Sequence, residues 1–337
     1  MLYYSIMDEL LRVKNLSIGF RSGKDVLAAV DGVSFHVAPG EILSLVGESG
    51  CGKSISCLAL TGLLPRQAAQ VRADSISFRG QELAGASDKV LRKVRGGGIA
   101  YIFQEPSASL NPVFRVGDQI AEVLELHRPE IEDQRAEVIR LLKQVGIPAP
   151  ESRLEAYPHE LSGGMQQRIM IAMALAGSPE LLIADEPTTA LDVTIQAQIL
   201  ELIDRTRREH RMGVILVTHN LGIVAETADR VAVMYAGNIV ELAPTADVLH
   251  RPAHPYTRAL LSAVPELGGA GGRLSTIPGV VPRPADYPAG CRFSPRCPAL
   301  THAAEDEIAR CRNTLPPCVA VASGHLCRCH LSKVLEK

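Results

Sequence analysis

The chain has 337 residues, 46% hydrophobic and 21% charged, with a formal net charge of −2. That length supports more than one compact region with a sizeable core, and the near-neutral balance gives no broad pull toward nucleic acid. No stretch approaches the roughly 20 apolar residues of a spanning helix. The N-terminal "MLYYSIMDELLRVKNLSI" lacks the basic start, apolar middle and small-residue cleavage site of a secretory signal. The protein is therefore expected inside the cell, where thiols stay reduced.

Taken in chain order, "EILSLVG" (41–47) is a short apolar run ending in Gly, as a buried parallel strand would be. Helical spacing follows in "SISCLALTGLL" (54–64). A helical insertion is expected over about 105–175, with loops at "RPEIED" and "PAPESR". "LLIADE" (181–186) and "GVILVTH" (213–219) read as further buried strands. Between them, "IQAQILELIDRTRRE" repeats apolar positions at Ile195, Ile199, Leu202 and Ile203, the period of an amphipathic helix. "VAVMYAGNIVELA" (231–243) reads as a hairpin turning at Gly237-Asn238. The Pro- and Gly-rich stretch 251–274 reads as a short helix and a linker. Strands alternating with helices imply an α/β fold. Residues 251–337 carry a net charge of +5 against −7 for the rest, which is expected to be a solvated face.

"GESGCGKS" (47–54) matches G-x-x-x-x-G-K-[ST]. Gly47, Gly50 and Gly52 let the backbone curl so that N–H groups converge on phosphate oxygens. Glu48, Ser49 and Cys51 complete the loop. Lys53 brings a point charge to the β- and γ-phosphates and the Ser54 hydroxyl suits Mg²⁺. Ile55 lies in the helix whose N-terminus faces the anion. The pattern alone also fits a glycine-rich turn capping a helix, but a strand precedes it and a helix follows. In "LLIADEPTTALD" (181–192) an apolar strand delivers Asp185 and Glu186 to its C-terminal end. Asp185 would help hold Mg²⁺, and Glu186 would orient the attacking water. In "LSGGMQQR" (161–168), Ser162, Gly163 and Gly164 offer a hydroxyl and backbone N–H groups at the expected start of a helix, "MQQRIMIAMALA". That is a second anion-binding terminus.

These motifs, in this order, resemble the ATP-binding subunits of ABC transporters over about residues 10–250. The resemblance implies a P-loop NTPase domain (1–250) with an antiparallel β subdomain and a helical subdomain. LSGGM resembles the family signature. Gln104 in "IFQEPSASLNP" resembles the glutamine that contacts Mg²⁺ and the membrane subunit. "ALD" (190–192), with Asp192, resembles the D-loop, although Thr189 stands where Ser is more usual. His219 in "LVTHN" resembles the residue that contacts the γ-phosphate, and Phe20 is the candidate for stacking on adenine. The resemblance further implies ATP and Mg²⁺ as ligands, and a head-to-tail pair with a second ATPase subunit, identical or homologous.

The tail narrows the resemblance. "HRPAHPYTRALLSAVP", "IPGVVPRP" and "GCRFSPRCP" are similar to the C-terminal region of dipeptide/oligopeptide importer ATPases, whose relatives also import nickel and other small solutes. That resemblance implies two membrane permease subunits, an extracytoplasmic binding protein, and a place at the cytoplasmic face of the membrane. It also implies a small Cys-rich extension (251–337). Six of the eight cysteines lie there. Four thiolates from loops suit Zn²⁺ or an iron–sulfur cluster, or the thiols stay reduced and free. The spacing is not that of a C-x2-C zinc ribbon. The resemblance implies a [4Fe–4S] site at Cys291, Cys297, Cys311 and Cys329, with an unusually long spacer before Cys311. Cys318 and Cys327 are extras that could substitute as ligands or stay free, and His325 and His330 are possible ligands but are expected as capping or surface residues. Competing readings are a soluble ATPase for iron–sulfur assembly and an ATP-regulated redox sensor. Nucleic-acid work is disfavoured, because no basic stripe is interleaved with aromatics and Trp is absent.

Overall fold

A computed structural model of the chain describes residues 9–23, 25–189, 191–263 and 277–332. In chain order its strands are β1 (Leu11–Ser22), β2 (Asp25–Val37), β3 (Ile42–Val46), β4 (Ala69–Arg72), β5 (Ser75–Phe78), β6 (Gln81–Glu82), β7 (Ile99–Ile102), β8 (Leu181–Asp185), β9 (Gly213–Thr218), β10 (Arg230–Tyr235), β11 (Asn238–Pro244), β12 (Val319–Ala322) and β13 (His325–Cys327). The chain divides into two compact units. One holds described residues of 9–10, 37–41 and 85–216, and the other those of 11–36, 42–84 and 217–332.

The first unit contains parallel strands β7 and β8, in register from Ile99 opposite Leu181 to Ile102 opposite Ala184. β9 lies beside β8. Every residue of β8 and β9 is buried, so both read as unbroken apolar runs rather than alternating ones. Around them the expected helical insertion is present as three main helices, Val116–His127, Gln134–Gln144 and Gly163–Ala176, which pack on one another. Their buried residues include Ile120 and Leu124, then Val138, Leu141 and Leu142, then Ile169, Met170 and Ile171. "PAPESR" is not wholly a loop. Pro150–Arg153 make one helical turn, because Pro150 brings a helical φ to its first position. The helix predicted around 195–209 runs Val193–His210 and buries Ile199, Leu202 and Ile203, while Ile195 is only half-buried.

The second unit holds an antiparallel sheet in the order β2–β1–β5–β6, with β4 also on β1. Its second set of strands runs β12–β13–β11–β10–β3, with β3 parallel to β10. The β10–β11 hairpin forms as expected, but its turn is Ala236-Gly237, one residue early. Both residues have positive φ, 45° and 82°, the requirement of a tight turn matching strand twist. Gly237 has a second reason to be glycine: a Cβ there would stand 2.3 Å from the Ala29 carbonyl oxygen. Asn238 instead begins β11, opposite Tyr235, and donates from Nδ2 to the Asp31 carbonyl at 2.6 Å.

The C-terminal residues belong to this same unit. β13 pairs antiparallel with β11, Glu241 opposite Cys327. Phe293 is buried, and its ring packs against those of Tyr235 and Tyr256 at centroid distances of 5.1 and 5.3 Å. The short helix expected near residue 255 spans Pro255–Ser262, and the linker after it falls mostly outside the described residues. Among the described residues, no helix is long and apolar enough to cross a membrane.

Candidate functional site: an ATP-binding cassette

The phosphate loop lies in the second unit. β3 is wholly buried and leads straight into Gly47. A Cβ on Gly47 would meet the Met234 carbonyl oxygen at 2.2 Å, so only glycine lets the loop leave the strand on this path. Gly52 caps the helix Lys53–Leu60 with a left-handed φ of 107°. Lys53 is buried, and its Nζ donates to the carbonyls of Gly47 and Glu48 at 2.8 and 3.1 Å. The ammonium is thus held across the mouth of the loop, where the point charge for a phosphate is needed. Ser54 and Ile55 lie half-buried in the first turn of that helix, while Ser49 and Gly50 are exposed at the loop's crest. Cys51 is fully buried, and burial pushes its thiol pKa up although Lys53 lies beside it. Phe20 sits half-buried on β1 opposite Ala69. His219 is exposed immediately after β9.

The acidic pair lies in the first unit. Asp185 ends β8, 5% exposed, and accepts a hydrogen bond from the Tyr101 hydroxyl at 2.8 Å. Glu186 follows with a left-handed φ of 47°, which turns it out of the strand. Its Oε2 accepts from Gln104 Nε2 at 3.0 Å and from Thr189 Oγ1 at 2.8 Å. Three residues singled out separately in sequence therefore meet at one carboxylate. Ala190 of the expected D-loop lies outside the described residues, whereas Asp192 caps the helix Val193–His210 by accepting from the Ile195 N–H at 3.0 Å.

The signature segment opens a helix two residues earlier than expected, at Gly163 rather than Met165. Ser162 is its N-cap, with Oγ accepting from the Met165 N–H at 3.4 Å. Ser162 and Gly163 are exposed, and a Cβ on Gly163 would meet nothing within 4 Å, so the helix terminus is open to a ligand. Sequence reading missed Gln167. It is buried and donates to the Pro187 carbonyl at 2.6 Å, which ties the signature helix to the loop carrying Glu186.

The cysteines fall into a definite arrangement. Cys291, Cys297, Cys311 and Cys329 line one cavity, with His254, Phe293 and His330 on its wall. The long spacer before Cys311 is taken up by a turn at Pro298–His302 and the helix Glu305–Asn313, which carries Cys311 back so that its carbonyl accepts from the Cys291 N–H at 2.8 Å. Burial pushes the Cys291 thiol up to about 12 and that of Cys329 to about 11, and neighbouring cysteines, Cys297 and Cys311 among them, add to this. Burial raises the thiols of Cys297 and Cys311 as well, so all four stay protonated at neutral pH. Among the described residues, no three Cys, His, Asp or Glu side chains stand close enough to hold a single metal ion. Cys318 is exposed and Cys327 is buried in β13. His325 is not a surface residue. It is fully buried, and its Nε2 meets Glu241 Oε1 at 2.7 Å.

A phosphate loop after a buried strand, an Asp-Glu pair ending another and a serine-capped glycine helix start define an ATP-binding cassette. Comparison with known proteins bears this out. Residues 30–189 match the ABC transporter family, and residues 240–303 match the oligopeptide/dipeptide transporter C-terminal region. A probable peptide ABC transporter ATP-binding protein of Sinorhizobium fredii is 50% identical over 96% of this chain and 95% of its own length. The dipeptide transport ATP-binding protein DppD of Escherichia coli is 48% identical over 95% and 96%. Among solved structures, a dimeric ATP-binding cassette in a post-hydrolysis state with ADP and Pi superposes with a TM-score of 0.62 at 26% identity, covering 70% of this chain and 98% of that one. The chain belongs to the ABC transporter family of ATP-binding proteins, with the C-terminal region of its oligopeptide/dipeptide transporters.

Proposed function

We propose that the protein binds and hydrolyses ATP to power an importer of di- or oligopeptides. The observation that carries this reading is the phosphate loop, with Lys53 drawn across its mouth by the Gly47 and Glu48 carbonyls. Phosphoryl transfer needs positioning and neutralised charge more than covalent chemistry. Lys53 and the loop N–H groups take the phosphates. Ser54 and Asp185, with Gln104, serve Mg²⁺. Glu186 orients the attacking water, His219 contacts the γ-phosphate and Phe20 stacks on adenine. The serine-capped start of the signature helix, Ser162 to Gly164, together with Asp192, serves a nucleotide held by a second ATPase subunit, so that ATP closes a head-to-tail pair.

Closure would move two membrane permease subunits, and an extracytoplasmic binding protein would deliver the peptide. Exposed apolar side chains in the stretch that follows Gln104, and just before it, suit such a membrane partner: Phe103, Val113 and Phe114 are 40%, 72% and 54% exposed. The protein would then work at the cytoplasmic face of the membrane. The test is co-purification of the tagged chain with its permeases, followed by peptide uptake into vesicles. Uptake that proceeds without ATP would overturn the reading.

We propose that the four-cysteine cavity holds a [4Fe–4S] cluster, a reading supported by the four cysteines that line it. Its donors are four thiols, and each would bind a different iron, so they need not crowd around one point as single-ion ligands do. When bound, the cluster supplies cross-linking between loops that have little core of their own. Cys291, Cys297, Cys311 and Cys329 would hold it.

A further inference from the structure

The segment between the first two of these cysteines does more than close a cavity. It carries two arginines: Arg296 bonds a residue of the phosphate loop, and Arg292 bonds Ala236, whose neighbour Gly237 is bonded to that loop. Arg296, next to Cys297, has a side chain only 6% exposed. Its Nη1 and Nη2 donate to Glu48 Oε2 and Oε1 at 2.9 and 3.1 Å, a two-point fork on the second residue of the phosphate loop. Its remaining donors are taken by the carbonyls of Ile277, Pro278 and Gly279 and by the Tyr235 hydroxyl. The guanidinium is therefore fixed on all sides and cannot swing away without leaving a buried charge unpaired.

Glu48 is held from its backbone as well. Its N–H donates to the Tyr256 hydroxyl at 3.0 Å, and Tyr256 is fully buried. At the other end of the segment, Arg292 donates to the Ala236 carbonyl and to Asp31 Oδ2, both at 2.6 Å. The next N–H along, that of Gly237, donates to the Cys51 carbonyl at 2.9 Å, inside the phosphate loop. Phe293 anchors the segment between these two arms.

We propose that Arg296 and Tyr256 are positioning residues for ATP binding: they clamp Glu48 so that the phosphate loop is already shaped for the nucleotide. Neither side chain belongs to the phosphate-loop motif, and Arg296 lies 248 positions away in sequence. A loop left to find its shape on binding gives up affinity in ordering itself, whereas a clamped loop does not. The proposal rests on this loop being the ATP site, and it does not require a cluster in the cysteine cavity.

The test uses the full chain, titrated with a non-hydrolysable ATP analogue, and the assembled transporter for steady-state hydrolysis. Arg296→Ala is expected to weaken nucleotide binding about tenfold or more, and Tyr256→Phe about threefold, since each leaves one Glu48 group without its partner. Arg296→Lys keeps the charge but loses the fork, so it should recover only part of the loss. KM for ATP should rise while kcat at saturating ATP stays near that of the wild type. A merely structural lesion would instead lower the active fraction, and with it kcat, at unchanged KM. Tyr256→Phe keeps the ring packing and so serves if Arg296→Ala does not fold. Wild-type affinity in folded Arg296→Ala, or in Tyr256→Phe, would overturn the clamp. Lys53→Ala separates the two readings. Wild-type affinity there would remove the loop as the ATP site, whereas lost affinity there with intact binding in the clamp variants would remove the clamp alone.

Discussion

Gln104 and Glu186 are joined by a hydrogen bond of 3.0 Å from the amide nitrogen to the carboxylate, and Thr189 adds a second donor to the same oxygen. The carboxylate assigned to orient water is thereby fixed by two neighbours, both named from sequence for other reasons. Any water it activates must share that oxygen or take the other one.

Replacing Glu186 by Gln should keep nucleotide affinity and slow hydrolysis by about 100-fold or more, the usual contribution of a placed general base. The same variant should trap a dimer in the presence of ATP, detectable by size-exclusion chromatography. Normal turnover would show that another group activates the water.

Lys53→Ala should abolish measurable nucleotide binding at micromolar ATP. The fold should survive, because what is lost is an ammonium satisfied by two loop carbonyls rather than a core side chain. Circular dichroism and an ATP titration on one sample check both halves. Gly47→Ala is expected to be worse, since the new methyl would collide with the Met234 carbonyl.

How much of this could be read from the sequence depends on how local each interaction is. β3, β8 and β9 were legible because strands buried on both faces leave continuous apolar runs, and the phosphate loop follows one of them at fixed spacing. The hairpin turn was displaced by one residue. Asn238 reads as a turn former, but its side chain is committed to the Asp31 carbonyl 207 residues away. His325 reads as a surface or capping residue for a similar reason: its partner Glu241 lies 84 positions earlier. The fork between Arg296 and Glu48 has no local pattern at all.

The buried pair of His325 and Glu241 should matter for stability. Burial alone would raise the pKa of Glu241, but hydrogen bonds from His325 and from the N–H groups of Ala253 and His254 outweigh it and hold the carboxyl below its ordinary value. A carboxylate with a depressed folded-state pKa stabilises the fold above the unfolded value, and that stability fades as pH falls through the folded one. Thermal melts should therefore show a Glu241 contribution that is constant at neutral pH and fades only in acid. Glu241→Ala should cost about 3 kcal/mol or more, because it leaves the buried N–H groups of Ala253 and His254 and the His325 ring nitrogen without their partner, at about 1–3 kcal/mol each. An unchanged melting temperature at neutral pH would contradict this.

Iron and sulfide assays on anaerobically purified protein should find about four of each per chain, the content of one four-cysteine cluster. Cys291→Ser should lower both. Zinc alone would make the cavity a structural staple, and no metal would leave four reduced thiols.

The central claim is that ATP hydrolysis here is coupled to peptide import, and the most direct measurement is the ATPase rate of the complete transporter in vesicles as peptide-loaded binding protein is added. The rate should rise with loaded binding protein and disappear in Glu186→Gln. A rate that ignores peptide, permeases and binding protein alike would contradict it.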